Sequence, residues 1–203
     1  STCSGRVKVR ISALPLPPTD IADRTATAQL SRDEAMTFRV TIREATQEDW
    51  DSIWPIFRDI VSAGETYAYD RSTTEAQAET IWLQTPSKVF VAEERGEILG
   101  TYYLKANQSG PGNHVCNCGY MVSPAARGKG IATLMCEHSQ QVAAEAGYLA
   151  MQFNFVAATN EGAVRLWTKL GFDTVGRLPK AFNHPSQGYV DALVMYKWLG
   201  TGG

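Results

Sequence analysis

This sequence is short of cysteine, of any charge excess and of long apolar runs, and each shortage removes a class of protein. The four cysteines, Cys3, Cys116, Cys118 and Cys136, have no disulfide-framework spacing. No apolar stretch reaches the length of a membrane span. Together these point to a reducing, cytoplasmic setting, in which the sequon Asn107-Gln108-Ser109 is expected to stay unmodified. With 19 basic residues against 21 acidic ones there is no broad field to draw nucleic acid or an anionic membrane, so neither is an expected partner. The spacing of a P-loop is missing too: Ser123 stands where its first glycine belongs, and Gly130 where its Ser or Thr belongs. A dinucleotide fingerprint fails because no third glycine follows Gly128 and Gly130. His114, Cys116 and Cys118 share one face of a strand, but without a fourth ligand or a familiar spacing they read as small buried groups, and no metal is expected.

What the chain does have is the stretch Val122-Ser123-Pro124-Ala125-Ala126-Arg127-Gly128-Lys129-Gly130-Ile131-Ala132, where a strand from His114 gives way to a glycine turn and then a helix. Ile131, Leu134, Met135, His138 and Val142 recur at helical spacing beyond it. Gly128 and Gly130 let the backbone turn tightly and let a bulky anion approach the first N–H groups of the helix. Those N–H groups have no partner within the helix and lie at its positive end, so the turn suits a pyrophosphate. Arg127 and Lys129 add positive charge.

Arg127-Gly128-Lys129-Gly130-Ile131-Ala132 resembles the Arg/Gln-x-x-Gly-x-Gly/Ala signature of the GNAT acyltransferase superfamily. A second block, Asn160-Glu161-Gly162-Ala163-Val164-Arg165-Leu166-Trp167-Thr168-Lys169-Leu170-Gly171-Phe172, is similar to that family's Asn-x-x-Ala-x-x-Leu-Tyr-x-Lys-x-Gly-Phe segment. The resemblance covers about residues 38 to 198. It implies an α/β GNAT fold, a mixed sheet of about seven strands splayed at the cofactor cleft and flanked by about four helices. It also implies acetyl-CoA as co-substrate, held by Met121, Val122, Arg127, Gly128, Lys129, Gly130, Ile131, Ala132 and Asn160, with pantetheine running between Met121/Val122 and Gln152/Asn154. Asn160 also serves as the cap of the helix that follows it, and both roles can hold together.

In chain order, residues 1–35 mix Ser, Thr and Arg with the extended run Leu14-Pro15-Leu16-Pro17-Pro18, and are expected to be an extension of the domain at 36–203, with Met36 as a candidate original start. Thr46-Gln47-Glu48-Asp49 has the form of a capping box, and Trp50, Ile53, Trp54, Phe57, Ile60 and Val61 follow as an apolar stripe. A second helix is expected from Thr73 or Thr74 to near Trp82. Between them lies an acidic, aromatic loop, Ala63 to Asp70. A hairpin follows, Val89 to Glu93 and Glu97 to Lys105. On the next strand, alternation sets His114, Cys116, Cys118, Tyr120 and Val122 against Val115, Asn117, Gly119 and Met121. The strand Leu149 to Val156 carries Met151, Phe153 and Phe155 opposite Gln152 and Asn154. The helix after Asn160 has Ala163, Leu166, Trp167 and Leu170 as its stripe. Strands at Phe172 to Leu178 and Tyr189 to Trp198 are expected to flank a loop from Leu178 to Gly188.

The chemistry implied is direct attack of a neutral amine on a thioester in a ternary complex. Two positions depart from the family pattern: Asn117 stands where many relatives carry a glutamate base, and Trp167 where many carry a tyrosine acid. Neither role transfers. Glu65 is the first candidate for a base or amine anchor, partly desolvated by Tyr67 and Tyr69; Tyr120 and Tyr189 are candidate hydroxyl donors, and His184 and Asp191, near the late hairpin, are further candidates. Asn117 is a candidate to polarise water. A cysteine nucleophile, Cys116 or Cys118, ranks below these because buried strand thiols are inert. The acceptor is expected to be a small, amino-acid-like amine, with Gly64-Glu65-Thr66 loosely similar to phosphinothricin-type enzymes. A protein N-terminus or lysine is a second substrate class, and a non-catalytic acyl-CoA sensor a different function. A homodimer is the default assembly.

Overall fold

The computed structural model describes residues 40–200. The expected extension, with its proline run and Met36, lies outside the described residues, as do Cys3 and the first residues of the strand expected from Thr37. The described elements are β1 (Thr41–Glu44), α1 (Trp50–Ala63), α2 (Glu75–Glu79), β2 (Lys88–Glu94), β3 (Glu97–Ala106), β4 (Val115–Val122), α3 (Ile131–Glu145), β5 (Ala150–Ala157), α4 (Glu161–Lys169), β6 (Asp173–His184) and β7 (Gly188–Trp198). The strands form one mixed sheet in the order β1-β2-β3-β4-β5-β7-β6. Every neighbouring pair is antiparallel except β4 and β5. No helix among the described residues is long and apolar enough to cross a membrane.

Two cores explain why the sheet is covered on both faces. On one face, α1 buries Trp50, Ile53, Ile56, Phe57 and Val61 against Val89, Val91, Ile98, Tyr103 and Met121. A π turn, Thr80–Gln84, extends α2 and carries Trp82 into this core, where its indole N–H donates to Thr101 Oγ1 at 3.2 Å. On the other face, Ile131, Met135 and Ala143 of α3 and Trp167 of α4 pack on Phe90, Leu104, Cys116, Cys118, Met151 and Phe153. Each large apolar side chain buried this way stabilises by about 1.5–3 kcal/mol. Cys116, Cys118 and Cys136 are free thiols inside this second layer.

The end of the chain differs from expectation. Leu178 to Gly188 is not a loop: β6 continues to His184, and only three residues separate it from β7. Pro179 has no N–H to offer the ladder and Lys180 adopts a left-handed φ of 53°, so the register shifts between Leu178 and Phe182. Pairing resumes at Phe182 opposite Val190. A proline that reads as a strand stop is absorbed here as a bulge. Asp191 secures it, accepting from the Lys180 N–H at 3.0 Å and from Arg177 Nη1 at 2.7 Å.

The entry to α1 is held by one carboxylate. Asp49 accepts from the Thr46 N–H at 2.7 Å, and takes a bidentate pair from Arg43 Nη1 and Nη2 at 2.7 Å each. Arg43 Nε also bonds Glu93 at 2.8 Å, so β1, β2 and the start of α1 share one network. The Arg43 hydrogen bonds hold the Asp49 carboxyl below its ordinary pKa. A depressed folded pKa means that the stabilisation is present above the unfolded value, about 3.9, and is lost as pH falls through the folded one. Asp49→Asn is therefore expected to lower unfolding free energy by about 1–2 kcal/mol at pH 7. The gap between wild type and variant should begin to narrow below about pH 4 and close only at a pH under the depressed folded value. Urea unfolding at both pH values checks this.

Candidate active site

β4 and β5 pair at only three positions, Val115 with Ala150, Cys116 with Met151, and Asn117 with Gln152. Beyond Asn117 they part: β4 stays with β3 as far as Val122, and β5 stays with β7 through a register shift between Phe153 and Val156. The sheet therefore forks. The phase of the backbone decides what the fork exposes. The carbonyl of Val115 and the N–H of Ser123 bond toward β3, through the Asn107 N–H and the Leu99 carbonyl, whereas the His114 carbonyl receives Leu149 on the β5 side. By alternation, the backbone groups of Cys118, Tyr120 and Val122 face the opening. The Tyr120 carbonyl is taken by the Tyr67 hydroxyl at 2.8 Å.

Asn117 holds the point where the strands separate. Only 6% exposed, it donates from Nδ2 to the Gln152 carbonyl at 2.9 Å and accepts at Oδ1 from the Tyr103 hydroxyl at 3.0 Å. Its amide thus ties β3, β4 and β5 together without a charge. Burial pushes the Tyr67, Tyr69 and Tyr103 phenols upward, so all three keep their protons. Tyr67 stacks on Tyr69 at 5.5 Å, and Tyr69 on Phe57 at 5.6 Å. These rings fasten the loop to the core instead of covering Glu65, which is exposed.

The same face carries a polar floor. Gln152 Nε2 donates to Asn154 Oδ1 at 2.8 Å, and Asn154 Nδ2 to Asn107 Oδ1 at 2.7 Å. Opposite Asn117 on β3 lies Lys105, half-buried, its Nζ 5.3 Å from the centre of the Tyr103 ring. Neither Tyr103 nor Lys105 was singled out by the sequence reading. Their alternation with Leu104 was visible in the sequence, but placing them beside Asn117 requires the β3–β4 register.

Both chain segments leaving the open end of the fork run into helix starts. After β4, a single 3-10 turn, Pro124–Ala126, leads to α3, whose cap residue Gly130 has φ 78° and whose neighbour Gly128 has φ 77°. A Cβ at either glycine would meet nothing within 4 Å, so the space beside the helix start is open. The first intrahelical bond runs from the Leu134 N–H to the Gly130 carbonyl, and no side chain caps the turn. Ile131, Ala132 and Thr133 therefore point unused N–H groups outward. Arg127 and Lys129 are exposed and, among the described residues, make no ion pair. This arrangement fits a diphosphate. After β5, Asn160 caps α4, its side chain accepting from the Ala163 N–H at 3.3 Å.

The remaining candidates are dispersed. Tyr120 turns its phenol to the α3 side, where the hydroxyl shares a 2.7 Å bond with Ser139 Oγ and the ring lies 5.1 Å from Trp167; burial raises its pKa. Met121 is buried under α1, while Val122 packs on the opposite core. Tyr189 is 70% exposed, opposite Asn183 near the tip of the late hairpin. His184 is buried against Phe182. Cys116 and Cys118 lie in the α3/α4 core, and burial pushes the Cys118 thiol upward, which keeps it protonated and a poor nucleophile.

Residues 44–172 match the model of the acetyltransferase (GNAT) family. N-acetyltransferase aca1 of Schizosaccharomyces pombe is 30% identical over 151 residues, 66% of this chain and 72% of that protein. A GCN5-related N-acetyltransferase from Kribbella flavida is 44% identical with a TM-score of 0.75, covering 78% of this chain and 97% of its own. A phosphinothricin acetyltransferase from Sinorhizobium meliloti, solved in complex with AcCoA, shares the fold at a TM-score of 0.71 and 24% identity, over 80% of this chain and 90% of that one. The matched span holds the fork and the starts of both α3 and α4, and the chain belongs to the GNAT family of N-acetyltransferases.

Proposed function

We propose that this enzyme uses acetyl-CoA to acetylate the amine of a small, amino-acid-like molecule, both substrates being bound when the amine attacks. The observation that carries this reading is the fork at Asn117, which leaves strand backbone unpaired directly upstream of an uncapped helix start. Acetyl-CoA supplies the activated acetyl thioester. On the protein side, the N–H groups of Ile131 and Ala132 with Arg127, Gly128, Lys129 and Gly130 would hold its diphosphate, and Val122 and Asn160 would flank the arm leading to the fork. The acceptor side is the neutral floor of Asn107, Asn117, Gln152 and Asn154, which offers hydrogen bonds to a small polar molecule.

Proton removal takes an unusual form in this reading. Asn117 cannot accept a proton, and the raised phenols of Tyr69 and Tyr103 do not lose theirs. The amine therefore enters as the free base, the fork fixes its direction of attack, and the proton released afterwards passes to water. Proximity, not general base catalysis, supplies most of the rate. Glu65, exposed on the loop after α1, is an acceptor of last resort.

Two expectations follow from this arrangement. Acetyl-CoA at a hundredfold excess over its dissociation constant should stabilise the fold by about 2.7 kcal/mol and raise the melting temperature by several degrees. Gly130→Val should remove that shift while melting cooperatively, because a branched side chain fills the open space and resists φ 78°; an unshifted wild type at millimolar acetyl-CoA would sink the assignment. In a screen of amines followed by thiol release, kcat/KM should climb roughly tenfold per pH unit from pH 6 and level off near the amine's own pKa. Glu65→Gln should stay within about threefold of wild type. A plateau above pH 6 that vanishes in Glu65→Gln would mean instead that this carboxylate is the base.

A further inference from the structure

The cations of the described residues sort into those with an evident partner and those without. Arg43, Arg58, Arg165 and Arg177 each face a carboxylate. Lys197 is spent on Gln140 and the Leu170 carbonyl at the end of α4. Arg127 and Lys129 belong to the diphosphate turn. Lys105 differs from all of these. It is half-buried on the sheet, makes no ion pair among the described residues, and rests its ammonium only against the face of Tyr103.

A partly desolvated ammonium is costly to hold without an anion, and a ring face compensates for only part of what water supplied. Its position indicates what kind of partner would suit it. Lys105 is the direct cross-strand partner of Asn117, so their side chains leave the sheet on the same face and within reach of one ligand. The side chains around them are neutral: Tyr103 and Asn117 bonded to each other, with Gln152, Asn154 and Asn107 beyond. An acceptor whose nitrogen is presented at the fork would place a group a few ångströms from that nitrogen over Lys105. We infer that Lys105 is the anchor for a carboxylate on the acceptor, which makes the substrate class α-amino acids and excludes simple alkylamines as preferred substrates.

This inference rests on the acetyltransferase reading above, and its test separates the two. Individual amino acids and their carboxamides, matched in side chain, are compared as acceptors by thiol release, with wild type, Lys105→Met and Lys105→Arg. For the best acceptor, wild type should favour the acid over the carboxamide by at least tenfold in kcat/KM, with the preference residing in KM. Lys105→Met should raise KM for the acid by more than tenfold, change kcat far less, and level acid and carboxamide. Lys105→Arg should restore part of the preference, since it keeps the charge. A melting curve for each variant confirms folding. Equal use of acid and carboxamide by wild type, or a preference that survives in Lys105→Met, overturns the anchor and leaves the acetyltransferase reading standing. Stabilisation by acetyl-CoA without turnover of any amine would overturn both the acceptor reading and the inference built on it.

Discussion

The structure depends on one interruption: a parallel pair of strands that stops pairing after three residues. A sheet interior does not ordinarily leave backbone groups unbonded, because an unpaired N–H or C=O away from water costs as much as a lost hydrogen bond. Here the interruption is made tolerable by side chains. Asn117 bridges the last paired position, Tyr67 takes the Tyr120 carbonyl, and a register shift on the far side lets β5 turn away with β7. Everything that looks like a site is arranged around that opening. The strand on each side of it runs directly into a helix start, so the fork and two positive helix ends come as one unit.

An amide, not a carboxylate, at position 117 ties stability to chemistry. A buried glutamate at the fork would need either a partner cation or a raised pKa. An asparagine needs only complementary hydrogen bonds, and both its ends have them. The cost is that the residue at the centre of the site can position but cannot take a proton. Nearby phenols do not replace it, since burial raises their pKa instead of lowering it. The site is thus well ordered and electrically quiet, with Lys105 as the one charge on its floor beside Asn117 among the described residues.

Much of this was legible in the sequence, for reasons that can be stated residue by residue. The glycine turn, the Asn160 cap, the capping box at Thr46 and the alternation along β4 are local features, set by spacing within a few residues. The expected splay between the fourth and fifth strands also stands, though it came from family resemblance and not from periodicity. What was hidden is non-local. The pairing of Lys105 with Asn117 is set across an eight-residue loop that carries no register signal. The shielding expected for Glu65 failed because Tyr67 and Tyr69 fold onto the core, a choice made by Phe57, Trp82 and the Tyr120 carbonyl and invisible from their neighbours in sequence. The late hairpin differs at Pro179, where a bulge stands in place of the start of the expected loop.

The central claim is that the freed edge of β4 receives the acetyl-CoA arm as a third strand. Residue-resolved amide hydrogen exchange, with and without acetyl-CoA, tests it most directly. Protection should rise by at least about tenfold at one or more of Cys118, Tyr120 and Val122, whose N–H groups face the fork, while Gly119 and Met121, turned toward β3, change little. A uniform change along β4, or none at the three fork-facing amides while acetyl-CoA is bound, would contradict the account.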